Sequence, residues 1–228
     1  MAYSIYYDRQ AIADAVSQGR HRQLVGGLWD EMGALQLAFL QAQGLRPQHR
    51  LLDIGCGSLR FGVRAVAYLD ANNYWGTDLR AELVEAGYRR EIVPLGLSGK
   101  LDRSQVVEDA DFAFPTLPKA FDFVVATSVF THLPPAFLTR CLASLAKHLE
   151  GPSAFYFTIF EPAGPFTEPS RQTESVTTHH DRDPFHYRIE DVQAAAAGLP
   201  WRIERLGDWA HPRNQKMVCA RLSRRLAG

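Results

Sequence analysis

A chain of 228 residues with 46% hydrophobic content is long enough to bury one sizeable core, and one domain spanning 1–228 is the expectation. Lys plus Arg and Asp plus Glu both number 25, so the zero formal charge excludes the overall basic excess through which nucleic-acid binders gain affinity for a phosphate backbone. Cys56, Cys141 and Cys219 are widely spaced and odd in number, which excludes a disulfide framework, and with no signal peptide or apolar run of roughly 20 residues the expectation is a cytoplasmic protein that no membrane holds.

From Asp8 to Gly44 the apolar residues, among them Leu28, Met32, Leu35 and Phe39, fall at helical spacing and predict one or two helices capping the core. Arg50-Leu51-Leu52-Asp53-Ile54 then reads as a short buried strand running into a glycine loop, followed by a helix that carries Phe61, Val63, Val66 and Leu69. The alternation continues. A strand is predicted at 73–77, a helix at about 81–93, a weaker strand at 105–108, a buried strand at 121–126, and a helix opened by Pro134 and Pro135 that reaches about Leu149. A strand at 153–159 follows, then a helix at 189–197 and two late strands at 201–206 and 216–222. Strands alternating with helices of this length predict βαβ units and a parallel sheet, hence an α/β fold. Residues 161–187 break the rhythm: proline, hydroxyl and charged residues abound with no period of either kind, as in a lid or substrate-binding insertion.

The most informative stretch is Asp53-Ile54-Gly55-Cys56-Gly57-Ser58-Leu59-Arg60-Phe61-Gly62. Two glycines one residue apart at a strand end let the backbone approach a ligand closely, and the helix that follows offers N–H groups at its start. About twenty residues on, the second strand ends in Asp78, placed to accept both hydroxyls of a ribose. The third glycine, Gly62, comes too late for a G-x-G-x-x-G nicotinamide site. Asp53 separates the readings further: an anionic side chain repels a pyrophosphate but attracts the amino group of a methionine moiety, which S-adenosylmethionine carries without any phosphate.

Asp53-Ile54-Gly55-Cys56-Gly57, together with Asp78 and the segment Phe121-Asp122-Phe123-Val124-Val125-Ala126-Thr127-Ser128-Val129-Phe130-Thr131-His132-Leu133-Pro134, resembles the class I S-adenosylmethionine-dependent methyltransferases over roughly residues 47–222. The resemblance implies a Rossmann-like three-layer sandwich whose seven-stranded, mostly parallel sheet has the order 3-2-1-4-5-7-6 with the last strand antiparallel. It implies cofactor contacts from Asp53, Gly55, Cys56, Gly57, Asp78 and Leu79. By the same analogy Asp109 or Asp111 meets the adenine amino group, Phe112 packs on the ring, and Thr127 borders the cofactor.

Methyl transfer from a sulfonium is an in-line displacement, so the protein chiefly holds the acceptor and, for a hydroxyl, removes a proton. His132, just after the fourth strand, is a candidate base, and a helix-capping or structural role is its alternative. Glu161, after the fifth strand, is a second candidate. His179, His180, Asp181 and His186 cluster in the insertion, but an irregular segment lacks the i, i+4 face of a helical zinc motif, so no metal is expected. His180 and His186 are instead candidate acceptor contacts, and Arg213, in the turn between the late strands, is placed to pair with an anionic acceptor. Tyr3, Tyr6, Tyr7 and Trp29 are candidates to cover the cofactor or acceptor.

The leading expectation is S-adenosylmethionine-dependent methylation of oxygen or nitrogen on a small molecule such as a sugar or another metabolite. Two alternatives stay open: a macromolecular acceptor, or a protein that binds S-adenosylmethionine without catalysis.

Overall fold

In the computed structural model, which describes residues 4–222, the strand signals condense into one seven-stranded sheet flanked by helices. Its strands are β1 (Leu51–Ile54), β2 (Tyr74–Asp78), β3 (Val106–Glu108), β4 (Phe123–Ala126), β5 (Ser153–Ile159), β8 (Trp201–Gly207) and β9 (Lys216–Leu222). The order is β3-β2-β1-β4-β5-β9-β8. A separate two-stranded ribbon, β6 (Ser170–Arg171) and β7 (Thr177–Thr178), accounts for the higher numbers, and counting the sheet strands alone gives the expected 3-2-1-4-5-7-6. β1 pairs in parallel with β2 and β2 with β3, whereas β9 runs antiparallel to both β5 and β8.

The chain forms two compact units, residues 5–123 and residues 124–222 together with Ser4. In the first, three helices take the place of the one or two predicted ahead of the sheet: α1 (Arg9–Ser17), α2 (His21–Leu24) and α3 (Trp29–Ala42). The Asp8 carboxylate caps α1 by accepting the Ala11 N–H at 3.0 Å. Every residue of β1 is buried, Asp53 included. α4 (Gly62–Tyr68) follows the glycine loop, and α5 (Ala81–Gly87) follows β2. The single helix expected over 81–93 stops at Gly87 and passes into a wider π turn, Tyr88–Ile92, then a 3-10 turn, Val93–Leu95. Pro94 accounts for the break, because it has no N–H to donate and its ring crowds the carbonyl four residues back.

In the second unit α6 (Pro135–His148) begins with Pro135 at its first position, where a missing N–H is harmless. It buries Leu138, Cys141, Leu142 and Leu145, an i, i+3, i+4, i+7 stripe. All seven residues of β5 are buried, as its apolar run requires of a central strand. α7 (Ile189–Ala195) precedes β8. The stretch 161–187, expected from sequence to be wholly irregular, contains the ribbon β6–β7, and its last residues return beside the end of β5 through a bridge between Phe160 and His186. Among the described residues no helix is long and apolar enough to cross a membrane.

Candidate functional site

Within residues 5–123 the predicted cofactor residues converge. Gly55 and Gly57 both adopt left-handed backbone, φ +70° and +56°. This bend turns the Gly55 and Cys56 N–H groups onto the Thr77 carbonyl at 2.7 and 3.0 Å, and the Gly57 N–H onto Oδ2 of Asp78 at 2.8 Å. Oδ1 of Asp78 accepts the Arg80 N–H at 3.0 Å. Each carboxylate oxygen keeps a second acceptor position, which is what a ribose diol requires. Burial raises the Asp78 carboxyl to about 6, against the opposing pull of those two N–H groups. Leu79 is partly buried beside it.

Asp53 is only 3% exposed, and its Oδ2 accepts the phenol O–H of the fully buried Tyr74 at 2.7 Å. Burial pushes its carboxyl up to about 7, opposed by the Tyr74 hydrogen bond and assisted by the charge of Asp78. The Tyr74 phenol is in turn held well above its ordinary value by burial and by Asp53. Cys56 is buried, and burial likewise raises its thiol.

After β3 the Asp109 carboxylate accepts the N–H groups of Asp111, Ala113 and Phe114 at 3.2, 3.0 and 2.8 Å, so it shapes the loop. Asp111 is exposed, and Phe112 is buried with φ +57°.

The N-terminal cap is fastened to the glycine loop and to the end of β2. Arg60 donates to the carbonyls of Val25 and Gly27 at 2.7 and 2.9 Å, and Ser58 donates to that of His21 at 3.1 Å. Arg80 donates to the Tyr6 carbonyl at 2.6 Å and stands over the Tyr7 ring, which places Tyr6 and Tyr7 next to the Asp78 loop. Trp29 is half-buried and packs against His21 and Arg22. Tyr3 lies outside the described residues.

Within residues 124–222, Thr127 and Ser128 close β4. The Thr127 hydroxyl is buried with no hydrogen-bond partner. Ser128 donates its N–H to Thr158 Oγ1 at 2.8 Å and its hydroxyl to Oε1 of Gln215 at 3.0 Å, and Thr158 donates to the same oxygen at 2.6 Å. Asn214 extends this network to Gln172 in the insertion.

His132 ends the short turn Phe130–His132, and its Nδ1 lies 2.6 Å from Oδ1 of Asp183. Glu161 is clamped by Arg205, whose Nε and terminal nitrogen donate to its two oxygens at 2.6 Å each. His180 stacks at a tilt on Phe166. His186, expected to touch an acceptor, is 1% exposed: Nε2 meets the Phe166 carbonyl at 2.8 Å and Nδ1 meets the Thr178 hydroxyl at 3.0 Å. Both nitrogens are thus engaged inside the insertion. Arg213 is half-buried, and its N–H donates to Nδ1 of His211 in the same turn. Among the described residues no three His, Cys, Asp or Glu side chains gather as a metal ion would require.

Sequence reasoning alone misses Tyr74, Arg80, Asp183 and Gln215. For Asp183 a faint signal exists, since it stands in the same acidic and histidine-rich stretch as His180. Tyr74, Gln215 and the side chain of Arg80 meet partners far along the chain and carry no local signature.

Residues 52–151 match the protein family described as "Methyltransferase domain". The fold is similar to magnesium protoporphyrin IX methyltransferase from Synechocystis PCC 6803, solved with bound SAH: TM-score 0.62, 16% identity, 95% of this chain and 100% of that one covered. It is similar to an S-adenosylmethionine-dependent methyltransferase from Clostridium acetobutylicum ATCC 824, with TM-score 0.61, 12% identity and coverage of 96% and 99%. A third similar structure is the sugar N-methyltransferase KedS8 from Streptoalloteichus sp ATCC 53650, with TM-score 0.56, 19% identity and coverage of 82% and 85%.

Proposed function

We propose that this chain, whose residues 52–151 match a methyltransferase-domain family, is a class I S-adenosylmethionine-dependent methyltransferase that methylates an oxygen or nitrogen of a small molecule. The observation that carries the reading is the pair of carboxylates beside the glycine loop. Asp53 is a buried acid whose Tyr74 partner stabilises it only in part, a setting that favours a cationic amino group. Asp78 braces the loop through Gly57 and still has acceptor capacity for two ribose hydroxyls. The left-handed Gly55 and Gly57 keep side chains out of the ligand's approach. When bound, S-adenosylmethionine supplies an electrophilic methyl group on a sulfonium.

On the acceptor side, the support comes from polar groups at the carboxyl ends of β4 and β5, where open α/β sheets receive ligands. Thr127 offers a buried hydroxyl that has no protein partner, and Ser128, Thr158 and Gln215 hold its loop in place. His132 is the group we assign to proton removal, and Glu161 serves to hold Arg205. Two of the similar structures, a porphyrin methyltransferase and a sugar methyltransferase, fit a small-molecule acceptor of this kind. Calorimetry with S-adenosylmethionine, S-adenosylhomocysteine and NAD tests the reading: the first two bind and NAD does not. Binding of NAD alone would remove it.

A further inference from the structure

We infer that the side-chain amide of Gln215 is a binding group for a neutral, oxygen-bearing small molecule, an alcohol or a carbonyl compound, which it holds through its two N–H donors. Every group that builds the site belongs to residues 124–222, so binding there goes beyond the methyl-transfer reading and needs no methyl donor. Lys216 pairs with Ile159 where β9 meets β5, so Gln215, one residue earlier, stands just past the carboxyl end of β5. Ser128, which follows β4, reaches the same place, and open α/β sheets receive ligands at this end.

The hydrogen bonds fix which way the amide points. Ser128 and Thr158 each give their hydroxyl proton to Oε1 of Gln215, at 3.0 and 2.6 Å, and occupy both of its lone pairs. Thr158 Oγ1 is itself the acceptor of the Ser128 N–H at 2.8 Å. Nε2 is left with two N–H donors for which no described residue supplies an acceptor. Gln215 is 3% exposed, so little water is at hand to take their place, yet the nitrogen is not sealed as the Thr127 hydroxyl is. A buried amide with its acceptor occupied and its donors open suits an oxygen lone pair brought by a ligand.

The amide is also braced. Asn214, beside it, donates to Oε1 of Gln172 at 3.1 Å, and Gln172 donates to the Glu161 carbonyl and Thr178 Oγ1 at 2.8 and 3.1 Å, which ties the turn before β9 to the ribbon of the insertion. Ser128 sits at φ +61°, a left-handed backbone unfavourable to a residue with a Cβ, and both its N–H and its hydroxyl serve the Gln215 network.

The donors select the ligand. An N–H2 group receives a hydroxyl, ether or carbonyl oxygen and opposes an ammonium, which brings only donors of its own. Two cations at this end of β8 and β9 are already engaged, Lys216 with Asp208 and with Oδ1 of Asn214, and Arg205 with both oxygens of Glu161. At Nε2 a carboxylate would meet a neutral donor in place of a counter-ion, and the loss of its hydration would go uncompensated.

The test uses the full-length protein labelled with nitrogen-15. The side-chain N–H2 signals of Gln215 are identified by their loss in Gln215→Glu. They are then followed as methyl glucoside, catechol and N-methylacetamide are added as neutral oxygen probes, acetate as an anion and benzylamine as a cation. A neutral probe should move those signals saturably. Gln215→Glu keeps an oxygen for the Ser128 and Thr158 hydroxyls but puts an acceptor where the donors were, so it should bind that probe about 10-fold more weakly and gain affinity for benzylamine. Signals that no neutral probe moves, tighter binding of acetate or benzylamine by the wild type, or undiminished neutral binding in Gln215→Glu overturns the inference. Thermal denaturation shows whether Gln215→Glu folds; if it does not, Gln215→Met takes its place for the assignment and for the loss of binding. Calorimetry with S-adenosylmethionine on the same samples separates the two levels. A wild type that binds no donor sinks the methyl-transfer reading and leaves the Gln215 site standing, while unmoved signals beside normal donor binding do the reverse.

Discussion

Oδ2 of Asp78 accepts the backbone N–H of Gly57 at 2.8 Å, so the acid proposed to hold a ribose also holds the glycine loop in its bent form. Removing it acts twice, on ligand contacts and on the loop that frames them. With hydrogen bonds to a charged group worth about 1.5–3 kcal/mol each, Asp78→Ala is predicted to weaken S-adenosylmethionine binding by about 100-fold or more in calorimetry. An affinity within about threefold of wild type would mean that the carboxylate serves the loop alone.

Gly57 tests the close packing of cap on loop. A Cβ there would stand 2.6 Å from Cγ1 of Val25, and the backbone sits at φ +56°. Gly57→Ala is therefore predicted to destabilise through both a clash and a left-handed backbone, the latter costing about 1–2 kcal/mol. Because Val25 is a side chain that can be trimmed, Val25→Ala in the same molecule should restore the space and leave the backbone penalty. Thermal denaturation of both variants checks this; complete recovery in the double variant would assign the whole effect to the clash.

These two residues also show what a sequence makes legible. Gly55, Gly57 and Asp78 stand where strand ends, turn chemistry and a fixed separation announce themselves locally, and the strands Ser153–Ile159 and Lys216–Leu222 follow from their apolar runs. Tyr74 reads from sequence only as part of a strand, since nothing nearby signals that its phenol lies on Asp53, 21 residues away. Asp183 meets His132 across 51 residues, through the fold of an insertion whose own ribbon is too short to leave a period. His186 resembles a ligand contact because histidine in a polar loop is ambiguous until its burial is known.

Asp53 gives a pH dependence of definite sign. Its folded-state carboxyl is raised to about 7, above the ordinary range that an unfolded chain would show. As pH rises between those values, the unfolded state ionises first and holds fewer protons, so stability falls with rising pH. Asp78, raised to about 6, acts in the same direction over a narrower window. The prediction is that Asp53→Asn flattens the loss of stability between about pH 4 and 7, where one such buried acid removes on the order of 1.4 kcal/mol for each step of one in pH. Denaturant titrations of wild type and variant at several pH values measure it, and parallel curves would show that Asp53 is not the responsible group.

His186 should matter to folding and little to donor binding. Its Nε2 meets the Phe166 carbonyl and its Nδ1 the Thr178 hydroxyl inside the insertion, so His186→Ala leaves both partners without it in a buried setting. A loss of about 1–3 kcal/mol of stability is predicted, with S-adenosylmethionine affinity unchanged. A variant as stable as the wild type would return His186 to the acceptor-contact role.

Glu161 and Arg205 separate a structural carboxylate from a catalytic one. Both oxygens of Glu161 receive a guanidinium donor at 2.6 Å, a two-pronged clamp that engages the whole carboxylate. Arg205 is 46% exposed, so solvent screening limits the pair to about 1 kcal/mol or less of stability. Glu161→Gln is accordingly predicted to lose a fraction of a kcal/mol to about 1 kcal/mol in denaturant titration and to keep kcat within about threefold on whichever acceptor the wild type methylates. Arg205→Gln should behave alike, and the double variant should be less destabilised than the sum of the two, since each single change already removes the same contact. A variant of undiminished stability that has lost its turnover would reverse the assignment and make Glu161 the base in place of His132.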